Sequence, residues 1–135
     1  MSAAAVPHNP VAEELLRSTT MKSILGIDQH ALDQVMATAY LLYQSGRYEQ
    51  VDVLCRGLIA ADHTYWWSYS LHAAALRRLG RFPEALAQLD NGLSYEPNEP
   101  KLRLMRDELI AALAEEKARE KHETLTDGLA VAVGG

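Results

Sequence analysis

Between residues 29 and 122 the apolar residues fall into five groups, each spaced three or four apart and separated from the next by a turn signal. Leu32, Val35, Met36, Ala39, Tyr40, Leu42 and Tyr43 recur with helical period over 29–45, and Gly46 ends the run. Val51, Leu54, Cys55, Leu58 and Ile59 mark a helix over 48–61. A third helix is predicted over 65–79, ended by Gly80. A fourth starts near Pro83, a residue suited to a first helical turn, and runs through Ala85, Leu86, Leu89 and Leu93 to about Tyr95, where Pro97 stops it. Asn98 is the expected cap of a fifth helix reaching about His122. Upstream, Val11, Leu15, Leu16, Met21, Ile24 and Leu25 suggest one short helix or two fragments before Gly26, with Asp28 as a cap for the helix over 29–45. No alternating strand pattern competes, so the fold class is all-α.

Gly46 and Gly80 stand 34 residues apart, and the text around them repeats: Ser45-Gly46-Arg47-Tyr48-Glu49 against Leu79-Gly80-Arg81-Phe82-Pro83-Glu84. A 34-residue helix-turn-helix period is the tetratricopeptide signature. With each glycine at repeat position 15, repeat one is 32–65 and repeat two 66–99, followed by a third-repeat helix over 100–122. The expectation is a helical hairpin solenoid of about 2.5 repeats over 11–122, preceded by an N-terminal helical segment. Residues 1–10, with Pro7 and Pro10, are expected to be a flexible tail, and 123–135 a disordered one. The run Glu115 to Glu123 alternates acids and bases and suits a solvated helix end.

Stacked hairpins leave their first helices lining a concave face. Positions 2, 5, 9, 12 and 13 of those helices look into it. The candidate groove residues are therefore Met36, Tyr40, Tyr43, Gln44, Trp67, Ser70, Ala74, Arg77, Leu104 and Glu108, with Arg78 beside Arg77. Aromatic rings give contact area at small entropic cost, and arginines can hold carbonyls or a carboxylate. Tyr48 and Phe82, just after each turn, are assigned to packing, and Cys55 and His72 to the core.

Charge and chemistry narrow the classes. The formal net charge is -5, which disfavours nucleic acid and anionic membranes. No apolar run is long enough to span a bilayer, and the first residues lack an export signal, so a cytoplasmic protein is expected. One cysteine allows no intrachain disulfide. His8, His30, His63, His72 and His122 form no paired metal motif, and phosphate loops and nucleophile motifs are missing. No catalytic residue, metal or cofactor is expected.

One string is more specific. Leu42-Tyr43-Gln44-Ser45-Gly46-Arg47-Tyr48-Glu49, followed by Ala61-Asp62-His63 and preceded by Thr20-Met21, Ile24 and Ala31-Leu32-Asp33-Gln34, resembles the LcrH/SycD-type, or class II, chaperones of bacterial type III secretion. Glu99-Pro100 at the start of the last helix is also similar, and the resemblance covers roughly 18–113. It implies that an extended segment of a hydrophobic translocator lies in the concave groove, kept soluble and unassembled before export. It further implies a homodimer in the client-free state through Leu15, Leu16, Met21, Ile24 and Leu25. The chain departs from the family in carrying only the first helix of a third repeat. That departure leaves open a chaperone of another export-apparatus component, and a general tetratricopeptide adaptor is the remaining alternative. The adaptor's carboxylate clamp would need Lys, Asn or Arg where repeat one has Asp33, Tyr40 and Gln44.

Overall fold

The computed structural model describes residues 9–134, apart from the side chains of Leu16 and of 130–134. Those residues form seven helices and no strand: α1 (Pro10–Ser18), α2 (Met21–Leu25), α3 (Gln29–Gln44), α4 (Tyr48–Ala61), α5 (Trp66–Arg78), α6 (Phe82–Tyr95) and α7 (Pro100–Gly134). Helices α3/α4 and α5/α6 are two successive hairpins, and α7 packs on α5 and α6 as the first helix of a third.

The two hairpin turns are built alike. Gly46 and Gly80 adopt φ of 79° and 76°, the left-handed region that glycine enters without steric cost. Around the first, Gly46 N donates to Tyr43 O and Arg47 N to Leu42 O. Around the second, Gly80 N donates to Arg77 O and Arg81 N to Leu76 O. These paired bonds satisfy carbonyls the helix end would leave free. The third copy of the turn is missing because the residue 34 past Gly80 is Ala114, which has no such freedom.

That substitution accounts for the course of α7. Good helix formers follow Ala114, and the chain stays helical to Gly134 in place of ending near 122. Thr124 and Thr126 return their hydroxyls to the carbonyls of Glu120 and His122. Over 123–134 the expected disordered tail is thus helix. At the other end, the expected flexible tail stops short of Asn9, which caps α1 by accepting from Val11 N and Ala12 N, with Pro10 in the first turn. Residues 1–8 lie outside the described residues. Helix α7 begins one residue too late for Asn98 to cap it. Glu99 takes that place, and its carboxylate accepts from Lys101 N at 3.3 Å.

Helix α5 is the centre of the molecule. One side carries Ala73 and Leu76 into a core with Ala85, Leu89, Leu102 and Leu109, flanked by Trp66, Phe82, Leu86, Leu93, Met105 and Leu113. The other side carries Leu71 and Ala75 against Ala39, Val51 and Cys55. Each fully buried leucine here stabilises the fold by about 1.5–3 kcal/mol. Gly92 lets α6 approach closely, since a Cβ there would sit 3.0 Å from Tyr69 Cβ and 3.0 Å from Leu102 Cδ1.

The N-terminal segment is two short helices, α1 and α2, not one. Thr20 and Ser23 form a reciprocal capping box at α2. The segment is tied to the loop after α4 and the end of α6. His63 Nε2 donates to Arg17 O at 2.7 Å, Arg17 Nη2 donates to Ser94 O at 3.4 Å, and Lys22 lies 3.9 Å from Asp62.

Candidate functional site

A groove of about 740 Å³ opens between the C-terminal ends of α3 and α5 and the wall of α7. Its floor is Ala73, Ala74, Phe82, Leu89, Met105, Leu109 and Ala112. Tyr43, Arg77 and Arg78 border it on the α3/α5 side, and Glu108, Glu115, Glu116 and Arg119 on the α7 side. Arg78 Nε points at Tyr43 Oη, 3.5 Å away, an interaction that favours the charged guanidinium and raises its pKa.

The ten residues predicted from repeat register divide into three groups. Tyr43, Ala74, Arg77 and Glu108 line this groove. Tyr40, Trp67 and Leu104 are exposed apolar side chains at 53%, 41% and 58%, and Gln44, at the end of α3, is exposed as well. Trp67 stacks on Trp66 with ring centroids 4.3 Å apart, and Lys101 Nζ sits 4.7 Å from its centroid. Trp66 turns to the core, so the tryptophan pair is split between packing and surface.

Met36 and Ser70 depart from expectation. Met36 is half-buried and packs on the core between the hairpins. Ser70 is buried, and its hydroxyl donates to Trp67 O at 2.9 Å. Both occupy repeat position 5, and α5, flanked by α3 and α7, has its position 5 covered by its neighbours.

Phe82, Met105, Ala112, Glu115, Glu116 and Arg119 were not anticipated as lining. The last three belong to the turns of α7 beyond the point where a complete repeat would bend back. Ala114 in the turn position was the available signal.

A second missed feature lies outside the groove lining. Asp52 on α4 is buried and accepts from His72 Nε2 at 2.5 Å, Arg56 Nη2 at 2.9 Å and Arg81 Nη1 at 3.3 Å. Burial by itself pushes its pKa up. The hydrogen bond and charge of His72, the charge of Arg56 and the bond from Arg81 together outweigh burial and hold the carboxyl below its ordinary value. The network joins both hairpins and reads as structural. Cys55 is fully buried, and burial with the Asp52 charge pushes its thiol pKa up to about 12. A thiol so protonated is a poor nucleophile. Among the described residues no three His, Cys, Asp or Glu gather as metal ligands, and no helix is long and apolar enough to cross a membrane.

The expected dimer residues Leu15, Met21, Ile24 and Leu25 all expose apolar surface, as does Val11. The side chain of Leu16 lies outside the described ones.

Stacked helical hairpins with an open groove along their first helices define a tetratricopeptide-type binding scaffold. Its fold is shared with solved type III secretion chaperones of the LcrH/SycD type. The chain superposes on the translocator chaperone SycD of Yersinia enterocolitica with a TM-score of 0.69 at 23% identity, covering 72% of each chain. A type III secretion complex from Aeromonas hydrophila gives 0.70 at 20% identity, covering 84% of this chain and 76% of that one. PcrH, solved with the chaperone binding region of PopD, gives 0.62 at 24% identity over 66% and 67%. No protein-family model and no curated protein matches the chain by sequence.

Proposed function

We propose that the chain is a cytoplasmic chaperone of type III secretion that holds an extended segment of a translocator in its concave groove before export. The observation that carries this reading is the exposure of Tyr40, Trp67 and Leu104. These are large apolar side chains left exposed on the first helices of three consecutive hairpin units, the helices that also supply groove lining, and the cores are complete without them. Isolated exposed apolar residues are ordinary, but one on the first helix of each unit, at positions 9, 2 and 5 that face the concave side in repeat register, is what an extended chain can use. The same fold in SycD and PcrH has been solved with a peptide of the translocator YopD and with the chaperone binding region of PopD. Client-free chains pair through α1 and α2, whose exposed Val11, Leu15, Met21, Ile24 and Leu25 exceed what a short surface segment needs for folding. No catalytic step, cofactor or nucleic acid enters this function.

Co-expression with a translocator from the same secretion system is the test. A soluble complex should co-purify, and Tyr40→Ala with Trp67→Ala should abolish it while leaving the circular dichroism spectrum unchanged. A translocator that stays insoluble beside a well-folded chain overturns the proposal.

A further inference from the structure

The two walls of the groove carry opposite charge and do not neutralise each other. Helix α5 presents Arg77 and Arg78, and α7 presents Glu108, Glu115 and Glu116, with Arg119 the one base among them. Arg78 engages Tyr43. Among the described residues, the side chains of Arg77, Glu108, Glu115 and Glu116 make no ion pair or hydrogen bond. Elsewhere on the molecule such pairs form, as in Arg106 on α7 with Asp90 on α6 at 2.7 Å. The opposite charges of the two walls therefore stand beyond ion-pair distance of each other. Arg119, one turn along α7 from Glu115 and Glu116, lowers the acidity of that wall without reversing it.

An occupant covers these charges and strips their water. A wholly apolar segment would leave them unpaired, which costs free energy, whereas a segment with opposite charges in register replaces the lost hydration. In an extended chain successive side chains point to opposite sides. Residues facing α5 and residues facing α7 must then lie an odd number of positions apart.

Resting on the client-groove reading above, we propose that the groove selects an extended segment bearing an acidic and a basic residue at odd spacing, the acid toward Arg77 and the base toward Glu108, Glu115 and Glu116. The exposed apolar side chains give such a segment its hold, and the two charges fix which edge of it faces each wall. A segment seated with its edges exchanged would bring like charges together on both walls. Selection of this kind discriminates among apolar segments that the exposed rings alone would accept alike.

The experiment uses the full chain and short labelled peptides, capped at both ends, built on alternating Leu and Ser. One carries adjacent Glu-Lys, one carries Glu-Ser-Lys, and one carries Gln-Gln. Fluorescence polarisation should show the adjacent pair binding about threefold to fivefold more tightly than either other peptide, the scale of partly exposed ion pairs. The advantage should shrink at high salt, where the Debye length falls to a few ångströms. Arg77→Glu should transfer the preference to a Lys-Lys peptide, and Glu115→Lys with Glu116→Lys should transfer it to Glu-Glu. Equal binding of the three peptides, or a ranking indifferent to both variants, overturns the charge selection and leaves the groove reading standing. Failure of all peptides to bind a folded chain overturns both.

Discussion

The Nε2 of His72, on α5, lies 2.5 Å from Oδ1 of Asp52, on α4, with both side chains buried across the boundary between the hairpins. A carboxylate only accepts, so the imidazole donates. Arg56 and Arg81 occupy the other carboxylate positions, leaving the charge paired from three directions. This is a polar link between hairpins that otherwise meet through the apolar side chains of Ala39, Val51, Cys55, Leu71 and Ala75. Its loss leaves buried polar groups without partners.

Asp52→Asn should therefore destabilise the fold by about 1.5–3 kcal/mol at neutral pH, measured by urea unfolding. The pH dependence follows from the depressed carboxyl. In the unfolded chain Asp52 protonates near pH 4, and in the folded chain only below that. The stability it contributes is full above about pH 4 and is lost as the pH falls through its lowered value. The variant should show a flatter acid limb below about pH 4 than the parent. An unchanged acid limb would place the pH sensitivity in other carboxylates.

Tyr40 and Tyr43 are three apart in sequence and differ in role. Tyr43 packs into the core between the hairpins and meets Tyr48 edge-on, with centroids 5.3 Å apart. Tyr40 is exposed. Tyr43→Ala should cost about 1–3 kcal/mol of stability, and Tyr40→Ala no more than about 0.5 kcal/mol. Thermal unfolding separates the two, and equal losses would mean that Tyr40 is also part of the core.

Gly92 and Gly57 both sit inside helices, and their surroundings predict opposite responses. A side chain at Gly92 meets Tyr69 and Leu102 at once, whereas nothing lies within 4 Å of a Cβ at Gly57. Gly92→Val should destabilise by about 1–3 kcal/mol through overpacking. Gly57→Ala should stabilise by about 0.5–1 kcal/mol by removing helix-interior glycine. A tolerated valine at 92 would show that α5, α6 and α7 separate more easily than their packing suggests.

His63 holds the N-terminal segment through its bond to Arg17 O and packs edge-on against Tyr95 at 5.1 Å. Proline lacks that donor. In His63→Pro, amide exchange over residues 10–25 should accelerate while α3 to α6 stay protected, as read by hydrogen exchange. Unchanged protection would shift the anchor to Lys22–Asp62 and Arg17–Ser94. Ile24→Asp with Leu25→Asp should convert a client-free dimer to monomer in sedimentation, and a persisting dimer would move the contact off α2.

Local chemistry made much of the molecule legible in advance. The helices α3 to α6 and the turns at Gly46 and Gly80 follow from apolar period, glycine at left-handed positions and caps such as Asp28, all of which act within a few residues. The straight course of α7 was written in Ala114, but only as an exception to the repeat.

Tertiary structure decided what depends on neighbours distant in sequence. Repeat register named Tyr43, Ala74, Arg77 and Glu108 as groove lining, but it could not separate Tyr40 from Tyr43, because which tyrosine is covered depends on how the second hairpin seats against the first. Nor could it find the pairing of Asp52 with His72 and Arg81, which lie 20 and 29 residues away, because helical spacing sets only neighbours along one helix. The opposed charges of the groove arise for the same reason: α5 and α7 become two walls only after α6 has folded between them in the chain and set them side by side.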